Sequence, residues 1–423
     1  MGSSITYAQR DTIRPGEALN FTEQLVSANG VFRLGFFSLG DYNRYLGIWY
    51  TDSPNLRVWM ANRESPVVGR IGNLTLDNNG MLKIMVVGAN QFPLNSNSQS
   101  AQNSSATLND LGNFVLTELN PDGSAKLVLW QSFDYPTNAF LPGMKMGMDF
   151  RTGKKWAITS WLSNLVPASG AVSLQWNHTT DGTNTGQIVM KHRGKDYWTT
   201  GLFNTADQTF ENIRWWRNSD EFSINIYKFT VVSNENESYI TFTVPKGTIS
   251  RWVLSADDGF TFTGDGTEPR IGPIVPCNGV GSYSGCLVAR PPNCRSSSEI
   301  FVPQTISLSG GVSYADQNSS LGLSDCWDQC WENCSCIGYN TFHTNRTGCQ
   351  YWSGGLTVVE GIIGSWTTIF ALNSTLNGTS SNNNSNASKS GNRWWIRMIV
   401  SILGVFLILL LGSLCYLRRK KLK

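Results

Sequence analysis

Two similar stretches, LTLDNNGMLKI (residues 74–84) and ATLNDLGNFVL (residues 106–116), align at an offset of 32 residues. In each copy apolar residues alternate with other residues on both sides of a turn that contains Asx and Gly. Alternation with a period of two predicts a strand with one buried face, and an Asx-Gly turn between two such runs predicts a β-hairpin. A hairpin that recurs at a fixed offset predicts a barrel or prism of similar units, with threefold pseudo-symmetry.

The same alternation continues through the first two thirds of the chain, in short runs at residues 31–37, 45–50, 58–61, 156–161, 239–244 and 251–254. The composition, with 41 Gly, 16 Trp and 15% charged residues, also favours short strands joined by tight turns. We therefore expect a mainly β protein. The net charge of +3 and the lack of a basic stripe before the last residues give no reason to expect a nucleic-acid partner.

A stretch of twenty residues, MIVSILGVFLILLLGSLCYL (398–417), contains no charged residue. A helix of this length rises about 30 Å, which matches the hydrocarbon core of a bilayer. The basic run at 418–421 indicates the cytoplasmic side, and Trp394 and Trp395 suit the opposite interface. We predict a single transmembrane helix at 398–417, a cytoplasmic basic tail at 418–423 and a type I plasma-membrane protein whose preceding domains are extracellular. No signal peptide is visible at the N-terminus, which favours a gene model that lacks its first exon.

Potential N-glycosylation sites are frequent before this stretch. The pattern Asn-X-Ser/Thr occurs at Asn20, Asn73, Asn103, Asn177, Asn236, Asn318, Asn333, Asn345, Asn373, Asn377, Asn383 and Asn386. This density is typical of an extracellular glycoprotein. Residues 373–393 are almost free of apolar side chains, so we expect them to form a glycosylated stalk.

Eight of the nine cysteines lie between Cys277 and Cys349, and outside a membrane such a cluster predicts disulfides. Cys326, Cys330 and Cys334 are spaced by four residues, which predicts that all three share one face of a helix. Spacing alone leaves 105 pairings of eight cysteines open. The spacings are not those of zinc sites, so no metal is expected.

Three stretches resemble the ectodomains of plant G-type lectin S-receptor-like serine/threonine kinases: RYLGIWY (44–50), VWMANRESPV (58–67) and LWQSFDYPTNAFLPGMKMG (129–147). The resemblance implies a bulb-type lectin domain at residues 7–134, built as a β-prism of three four-stranded sheets. DYWTTGLFNTADQTF (196–210) is similar to the S-locus glycoprotein region, which implies a second lectin-like β domain at residues 135–276.

The cysteine-rich part of the chain extends the resemblance. Residues 277–293 look like an EGF-like module reduced to a linker, and residues 294–372 resemble a small α+β PAN/apple domain. The resemblance implies four disulfides, Cys326–Cys349, Cys330–Cys336, Cys294–Cys334 and Cys277–Cys286.

Bulb-type lectins that bind mannose carry the motif Q-x-D-x-N-x-V-x-Y. In the second repeat the motif falls on Asn109, Leu111, Asn113, Val115 and Thr117, and in the first on Asp77, Asn79, Met81, Lys83 and Met85. The candidate sugar-binding residues are therefore Asp77, Asn79, Asn109, Asn113 and Val115. Each lost hydrogen bond to a charged acceptor costs about 1.5–3 kcal/mol. We accordingly expect a lectin scaffold without mannose affinity.

Catalytic signatures are weak. The glycine-rich loop, lysine, HRD and DFG motifs of the related kinases do not occur, and the three histidines lack metal-binding spacing. Asp257-Asp258-Gly259 is more typical of a turn than of a glycosidase, and Tyr283 occupies the serine position of GVGSYSG (279–285). Trp215, Trp216 and Trp252 are more typical of packing than of sugar stacking. We expect no enzyme activity, no cofactor and no catalytic residue.

These observations predict a single-pass receptor-like protein that recognises an extracellular glycan or protein ligand, or that forms homo- or hetero-oligomers with related receptor kinases. The alternatives are a truncated gene model of a full receptor kinase and a carbohydrate-active enzyme of the cell surface.

Overall fold

The computed structural model describes residues 10–374, apart from residues 41, 69–71, 87, 89–90, 97–100, 180–184, 214–226, 257–259, 264–276, 278, 280–283, 289, 297, 307, 310–311, 355–356 and 359–366. The predicted transmembrane helix at 398–417, the basic tail at 418–423 and most of the predicted stalk lie outside these residues. Among the helices within them, none has the length and apolar character needed to cross a bilayer.

The N-terminal part of the chain consists of short antiparallel strands. They are β1 (Thr12–Ile13), β2 (Ala18–Leu19), β3 (Gln24–Val26), β4 (Phe32–Leu39), β5 (Asn43–Tyr50), β6 (Ser53–Met60), β7 (Val67–Val68), β8 (Gly72–Leu76), β9 (Leu82–Val86), β10 (Phe92–Pro93), β11 (Ser104–Leu108), β12 (Phe114–Leu119) and β13 (Ala125–Gln131). Three sheets result, with the orders β3-β4-β5-β6, β10-β9-β8-β2 and β1-β11-β12-β13. The second and third have four strands, and the first has five, because β7 also pairs with β5.

The three sheets bury their alternate side chains in a shared core. Leu46 in the first sheet, Leu74 and Ile84 in the second, and Leu108 and Phe114 in the third are fully buried in one hydrophobic cluster. The hairpins predicted from the two repeats are confirmed, since β8 pairs with β9 and β11 with β12 across the Asx-Gly turns. The side chains on either side of each turn point inward, as a period of two requires.

A second group of antiparallel strands follows a short 3₁₀ helix, Ser132–Asp134. The strands are β14 (Ala139–Phe140), β15 (Met146–Asp149), β16 (Lys155–Trp156), β17 (Ile158–Ser163), β18 (Val166–His178), β19 (Gly186–His192), β20 (Lys195–Thr199), β21 (Phe203–Asn204), β22 (Thr209–Phe210), β23 (Lys228–Ser233), β24 (Glu237–Thr243), β25 (Arg251–Leu254) and β26 (Phe260–Thr263). They form sheets of order β16-β15-β24-β23, β17-β18-β19-β20 and β14-β25-β26, and a small hairpin, β21-β22.

Aromatic rings fill the centre of this second group. The rings of Phe140 and Phe242 lie 5.1 Å apart, and the indole of Trp252 lies 5.7 Å and 5.4 Å from them. Trp252 is fully buried, so it packs in the core as predicted and is not available to stack on a ligand.

The cysteine-rich part combines one sheet with one helix. Its elements are β27 (Phe301–Ile306), β28 (Leu308–Ser309), β29 (Val312–Asp316), α1 (Leu323–Glu332), β30 (Cys336–Thr341), β31 (Cys349–Ser353), β32 (Thr357–Val358) and β33 (Thr367–Leu372). The five-stranded sheet has the order β27-β33-β30-β31-β29, and β28 pairs with β32.

Helix α1 is shorter than the cysteine spacing predicts. It begins after Gly322, whose N–H donates to the carboxylate of Asp325 (2.8 Å), and it ends at Glu332 with Asn333 in an extended conformation. The prediction that Cys334 shares a helix face with Cys326 and Cys330 is therefore wrong. The helix ends two residues before Cys334, which forms its bridge to Cys294 from the segment that follows.

Four disulfides tie this part of the chain together. Two of them join α1 to the sheet, because Cys326 bonds Cys349 in β31 and Cys330 bonds Cys336 in β30. The others are Cys294–Cys334 and Cys277–Cys286. These pairs are the ones that the family resemblance implied.

The described residues form one compact unit, and arginine side chains join its parts. The buried guanidinium of Arg63, after β6, donates to the backbone carbonyls of Pro167 (2.8 Å), Ser160 (2.8 Å) and Thr159 (3.2 Å) on β17 and β18. Burial lowers the pKa of Arg63 to about 10, although the nearby carboxylate of Glu64 acts in the opposite direction. This contact fixes the second β group against the first.

A second arginine joins the second β group to the cysteine-rich part. Arg193, in the β19–β20 turn, donates to both carboxylate oxygens of Asp325 (2.7 Å and 2.6 Å) and to the carbonyl of Ser320 (2.8 Å). Nearby, a Cβ on Gly322 would lie 2.3 Å from the carbonyl oxygen of Leu162. Only glycine allows the two backbones to approach this closely.

Candidate ligand-binding site

The carboxylate of Asp77 lies inside the β8–β9 turn. It accepts hydrogen bonds from the N–H groups of Asn79 (3.0 Å) and Met81 (2.9 Å) and from the ammonium of Lys83 (2.9 Å). Burial acts to raise the pKa of Asp77, but these three donors stabilise the charged form, and the pKa is lowered overall. The chain itself therefore occupies the acceptors that a sugar hydroxyl would use.

Asn109 has the same role in the second repeat. Its side-chain oxygen accepts from the N–H groups of Leu111 and Asn113, both at 3.0 Å. The turn closes through Gly112, whose N–H donates to the Asn109 carbonyl and whose φ is +81°. A Cβ at Gly112 would lie 2.7 Å from the ring of Phe32, so the position requires glycine for both conformation and space.

Asn113 is the most fully engaged of the predicted residues, with only 7% of its surface exposed. Its amide nitrogen donates to the side chain of Gln131 (2.9 Å), and its oxygen accepts from the hydroxyl of Ser132 (3.1 Å) and the N–H of Phe133 (3.2 Å). These bonds connect the start of β12 to the end of β13 and to the 3₁₀ helix that follows it, so Asn113 serves the fold.

The five predicted residues do not form one site. Asp77 and Asn79 belong to a hairpin of the second sheet, whereas Asn109, Asn113 and Val115 belong to a hairpin of the third. Val115 is half-buried on β12 and Asn79 is exposed at the tip of its turn. A monosaccharide therefore has little to bind at these positions. Asp77 and Asn109 anchor turns, the Asn113 amide is buried, and the other two residues are an exposed amide and an aliphatic side chain.

A contact that recurs within each of the three sheets was not recognised in the sequence. In each sheet, the first inward residue of a central strand donates its N–H to a side chain that follows the next strand: Leu46 to Asn62 (2.9 Å), Leu82 to Asn95 (2.8 Å) and Phe114 to Ser132 (2.9 Å). The signal in the sequence is the set WMAN (59–62), FPLN (92–95) and LWQS (129–132). These contacts follow the threefold pseudo-symmetry that the repeat predicts.

The outer face of the first sheet is closed by its own side chains. Phe37, Tyr45 and Trp49 are buried there, and the guanidinium of Arg57 lies 4.3 Å and 4.9 Å from the ring centroids of Phe37 and Trp49. Burial lowers the pKa of Arg57 to about 10. Trp161 from the second β group also packs against this face, so a ligand has no access to its rings.

The described glycosylation sites differ in exposure. The asparagines at the surface are Asn20, Asn103, Asn236, Asn318, Asn333 and Asn345, whereas Asn73, Asn177 and Asn373 are half-buried. Asn377, Asn383 and Asn386 lie outside the described residues. The structure thus favours modification at the six exposed sites.

The weak catalytic candidates gain no support from their surroundings. His178 lies beside Phe150 (ring centroids 5.2 Å apart), and Nε2 of His343 lies 3.0 Å from the carbonyl of Gln317. Trp215, Trp216, Asp257, Asp258, Gly259 and Tyr283 are outside the described residues. In the described part of the chain, no group of three His, Cys, Asp or Glu side chains is placed to hold a metal.

Two family models match the chain. The D-mannose binding lectin model matches residues 57–162, and the PAN-like domain model matches residues 294–359. Among solved structures, a monomeric monocot mannose-binding lectin from Gastrodia elata is 18% identical, covering 29% of this chain and 96% of that lectin. Its TM-score is 0.22, which is too low to support an argument.

Among curated proteins, a G-type lectin S-receptor-like serine/threonine-protein kinase of Arabidopsis thaliana is 31% identical over 386 residues, covering 82% of this chain and 44% of the kinase. An S-locus-specific glycoprotein of Brassica oleracea var. alboglabra is 28% identical over 376 residues, covering 78% of this chain and 84% of the glycoprotein. The chain thus spans less than half the length of that kinase. With its lectin and PAN-like domains, this chain belongs to the family of the G-type lectin S-receptor-like kinases and S-locus glycoproteins.

Proposed function

We propose that this chain is a receptor-like protein of the plant cell surface that recognises an extracellular ligand or a partner receptor without performing chemistry itself. Its domains are those proposed from the sequence: the lectin domain at 7–134, the lectin-like domain at 135–276, the linker at 277–293 and the PAN domain at 294–372. The proposed anchor is the apolar stretch at 398–417. Support comes from the receptor-like names of the relatives, the disulfides and the density of glycosylation motifs.

The observation that carries the proposal is the use of the motif side chains by the fold. Asp77 and Asn109 anchor turns, and Asn113 holds β12 to the chain after β13. A buried polar group that is already satisfied gains little from a ligand. The lectin fold therefore serves as a scaffold, and recognition takes place on other parts of its surface.

The arginine contacts suit such a scaffold. Arg63 and Arg193 hold the lectin, lectin-like and PAN parts in a fixed orientation through bonds to buried or half-buried partners. A fixed orientation lowers the entropy cost of binding a large ligand across several domains. We expect oligomers with related receptor kinases to use this rigid surface.

The test is a binding assay with the full-length chain in mild detergent. We expect no retention on immobilised mannose, and saturable binding either to a glycan on an array or to the purified ectodomain of a related receptor kinase. The same assay with Asn109→Ala tests the scaffold role. If the unmodified chain retains any mannose, the variant should retain as much, because we expect the motif residues not to contact the sugar. Binding to neither class of ligand would refute the proposal.

The 44% coverage of the kinase relative supports a second candidate, in which this ectodomain belongs to a longer receptor kinase. Sequencing the transcript beyond the codon for Lys423 tests it directly. A reading frame that continues into HRD and DFG motifs would assign phosphoryl transfer to the longer protein.

A further inference from the structure

One edge of the five-stranded sheet in the cysteine-rich part is open. The strand at this edge, β29, pairs with β31 and with no other strand in the described part of the chain. All five of its residues are exposed, with Val312 at 71% and Tyr314 at 44%. The outer side of β29 therefore presents backbone N–H and carbonyl groups that can pair with a strand of another chain.

The strand itself carries little protection against such pairing. Three other edge strands, β6, β10 and β27, contain Pro54, Pro93 and Pro303, and proline lacks the N–H that a neighbouring strand would bond. The sequence of β29, VSYAD, contains no proline and no lysine, and its pairing with β31 runs without a register shift. An edge of this kind is a site of self-association unless something outside the strand covers it.

The potential glycosylation site at Asn333 lies against the middle of this strand. Asn333 directly follows α1, and its Nδ2–H donates to the phenol oxygen of Tyr314 (3.1 Å). The ring of Tyr314 in turn stacks on that of Tyr351, with 4.8 Å between the centroids, and Tyr351 is buried. The nitrogen atom that N-glycosylation modifies is thus in contact with an exposed side chain of β29.

A second potential glycosylation site lies just beyond the end of the strand. Asn318 is exposed, and its backbone N–H donates to the carboxylate of Asp316, the last residue of β29 (3.0 Å). The side-chain oxygen of Asn318 accepts from the N–H (3.1 Å) and the hydroxyl (2.8 Å) of Ser320. These bonds hold Asn318 beside the end of β29.

We propose that N-linked glycans on Asn318 and Asn333 cover the open edge of β29 and prevent two copies of this chain from pairing through it. Glycosylation joins Nδ2 to the anomeric carbon of the first sugar, while the bond from that carbon to a lipid-linked diphosphate breaks and one amide proton is lost. Because Nδ2 of Asn333 contacts Tyr314, the first sugar there lies beside the middle of the strand. The glycan on Asn318 lies beside its end.

Bulky, hydrated groups at these two positions exclude a second strand from the edge. This inference rests on the proposed function only for the extracellular location, because that location exposes the chain to the glycosylation machinery. It goes beyond that function by assigning a role to two glycans and by removing this edge from the surfaces through which the chain associates with a second copy.

The experiment measures the molar mass of the full-length chain, made in a glycosylating host and kept in mild detergent, by light scattering over a range of concentrations. The double variant Ser320→Ala with Ser335→Ala removes both motifs but keeps both asparagines. The matched control is Thr22→Ala, which removes the motif of Asn20. Like Ser320→Ala, it deletes a hydroxyl that bonds the asparagine oxygen, at 2.9 Å against 2.8 Å. We expect the molar mass of the double variant to rise with concentration toward about twice that of the control.

A third variant separates edge pairing from misfolding. Adding Val312→Lys to the double variant places a cation on the exposed edge strand, which opposes strand pairing. The molar mass should then return to that of the control. Glycopeptide mass spectrometry of the chain without substitutions should find sugar on both asparagines.

The inference is overturned if either asparagine carries no sugar, or if the double variant keeps the molar mass of the control at every concentration. It is equally overturned if Val312→Lys does not reverse the association. These outcomes differ from failure of the proposed function, since ligand and receptor binding are measured on the glycosylated chain and do not require an open edge.

Discussion

Replacing Arg295 with methionine tests how the PAN helix is held. Arg295 follows Cys294 and is only 7% exposed. Its Nε–H donates to the carbonyl of Trp331 (3.0 Å), and Nη2 lies 2.6 Å from the carbonyl oxygen of Cys330 and 2.7 Å from that of Asn333. Cys330 and Trp331 lie in the last turn of α1, where carbonyls have no partner within the helix, and the carbonyl of Asn333, just after the helix, also accepts the N–H of Cys336 (2.8 Å).

The contact also matches the electrostatics of the helix. A cation at the C-terminus of a helix is favourable, and here it replaces solvent at buried carbonyls. Burial itself lowers the pKa of Arg295, with Glu299 and Glu332 acting in the opposite direction. The arginine therefore stabilises the helix end despite the cost of burying its charge.

We expect Arg295→Met to destabilise the end of α1 by about 3–5 kcal/mol, the range found when one partner of a buried charged contact is removed. Arg295→Lys should lose about half as much, because an ammonium keeps the charge but cannot reproduce the planar fork.

Hydrogen exchange of the amides in α1 measures this locally, which avoids assuming two-state unfolding of a multidomain chain. A loss of 3 kcal/mol corresponds to exchange roughly 100-fold faster. Arg151→Met is the control, since that side chain is 66% exposed and pairs with Asp149, two residues before it. Exchange in α1 of Arg295→Met within threefold of the unmodified chain would contradict the reasoning.

Three further predictions concern Asp77, the contact between Arg193 and Asp325, and Gly112. Because its folded pKa is lowered, Asp77 should stabilise the fold above its unfolded pKa and lose this contribution as pH falls through the folded value. Asp77→Asn should keep the turn, because Asn109 forms the same turn in the second repeat. It should remove a pH-dependent contribution of under about 1 kcal/mol to the free energy of unfolding, measured by urea unfolding between pH 2 and 6. A double-mutant cycle of Arg193→Met and Asp325→Asn should give a coupling free energy of about 1–2 kcal/mol. Additive effects of the two substitutions would contradict a stabilising contact between these side chains. Gly112→Ala should lower the free energy of unfolding by about 2–4 kcal/mol, because the residue has a positive φ and lies against an aromatic ring. The denaturant midpoint measures this loss. The control, Gly123→Ala, lies at an open turn and should lose less.

The hairpins were predictable because their information is local. The alternating residues and the turn that joins them lie within eleven positions, so the period and the Asx-Gly turn specify which face is buried. Similarity to known ectodomains supplied the disulfide pairs, which spacing alone leaves open.

The end of α1 shows where local reasoning failed. A spacing of four residues predicts a shared helix face for Cys334, but the helix ends at Glu332. The carbonyls at that end bond to Arg295, which lies more than thirty residues earlier. Helical periodicity could not show this, because the partner is distant in the chain.

The sequence by itself thus determined a mainly β chain with repeated hairpins, a disulfide-linked C-terminal part and an altered mannose motif. Only the tertiary structure decided what the motif residues do and how the parts are joined. Arg63 reaches carbonyls about 100 residues away, and Arg193 reaches a carboxylate 132 residues away. Such contacts depend on the packing of separate sheets, and no local pattern of residues encodes which side chains that packing brings together.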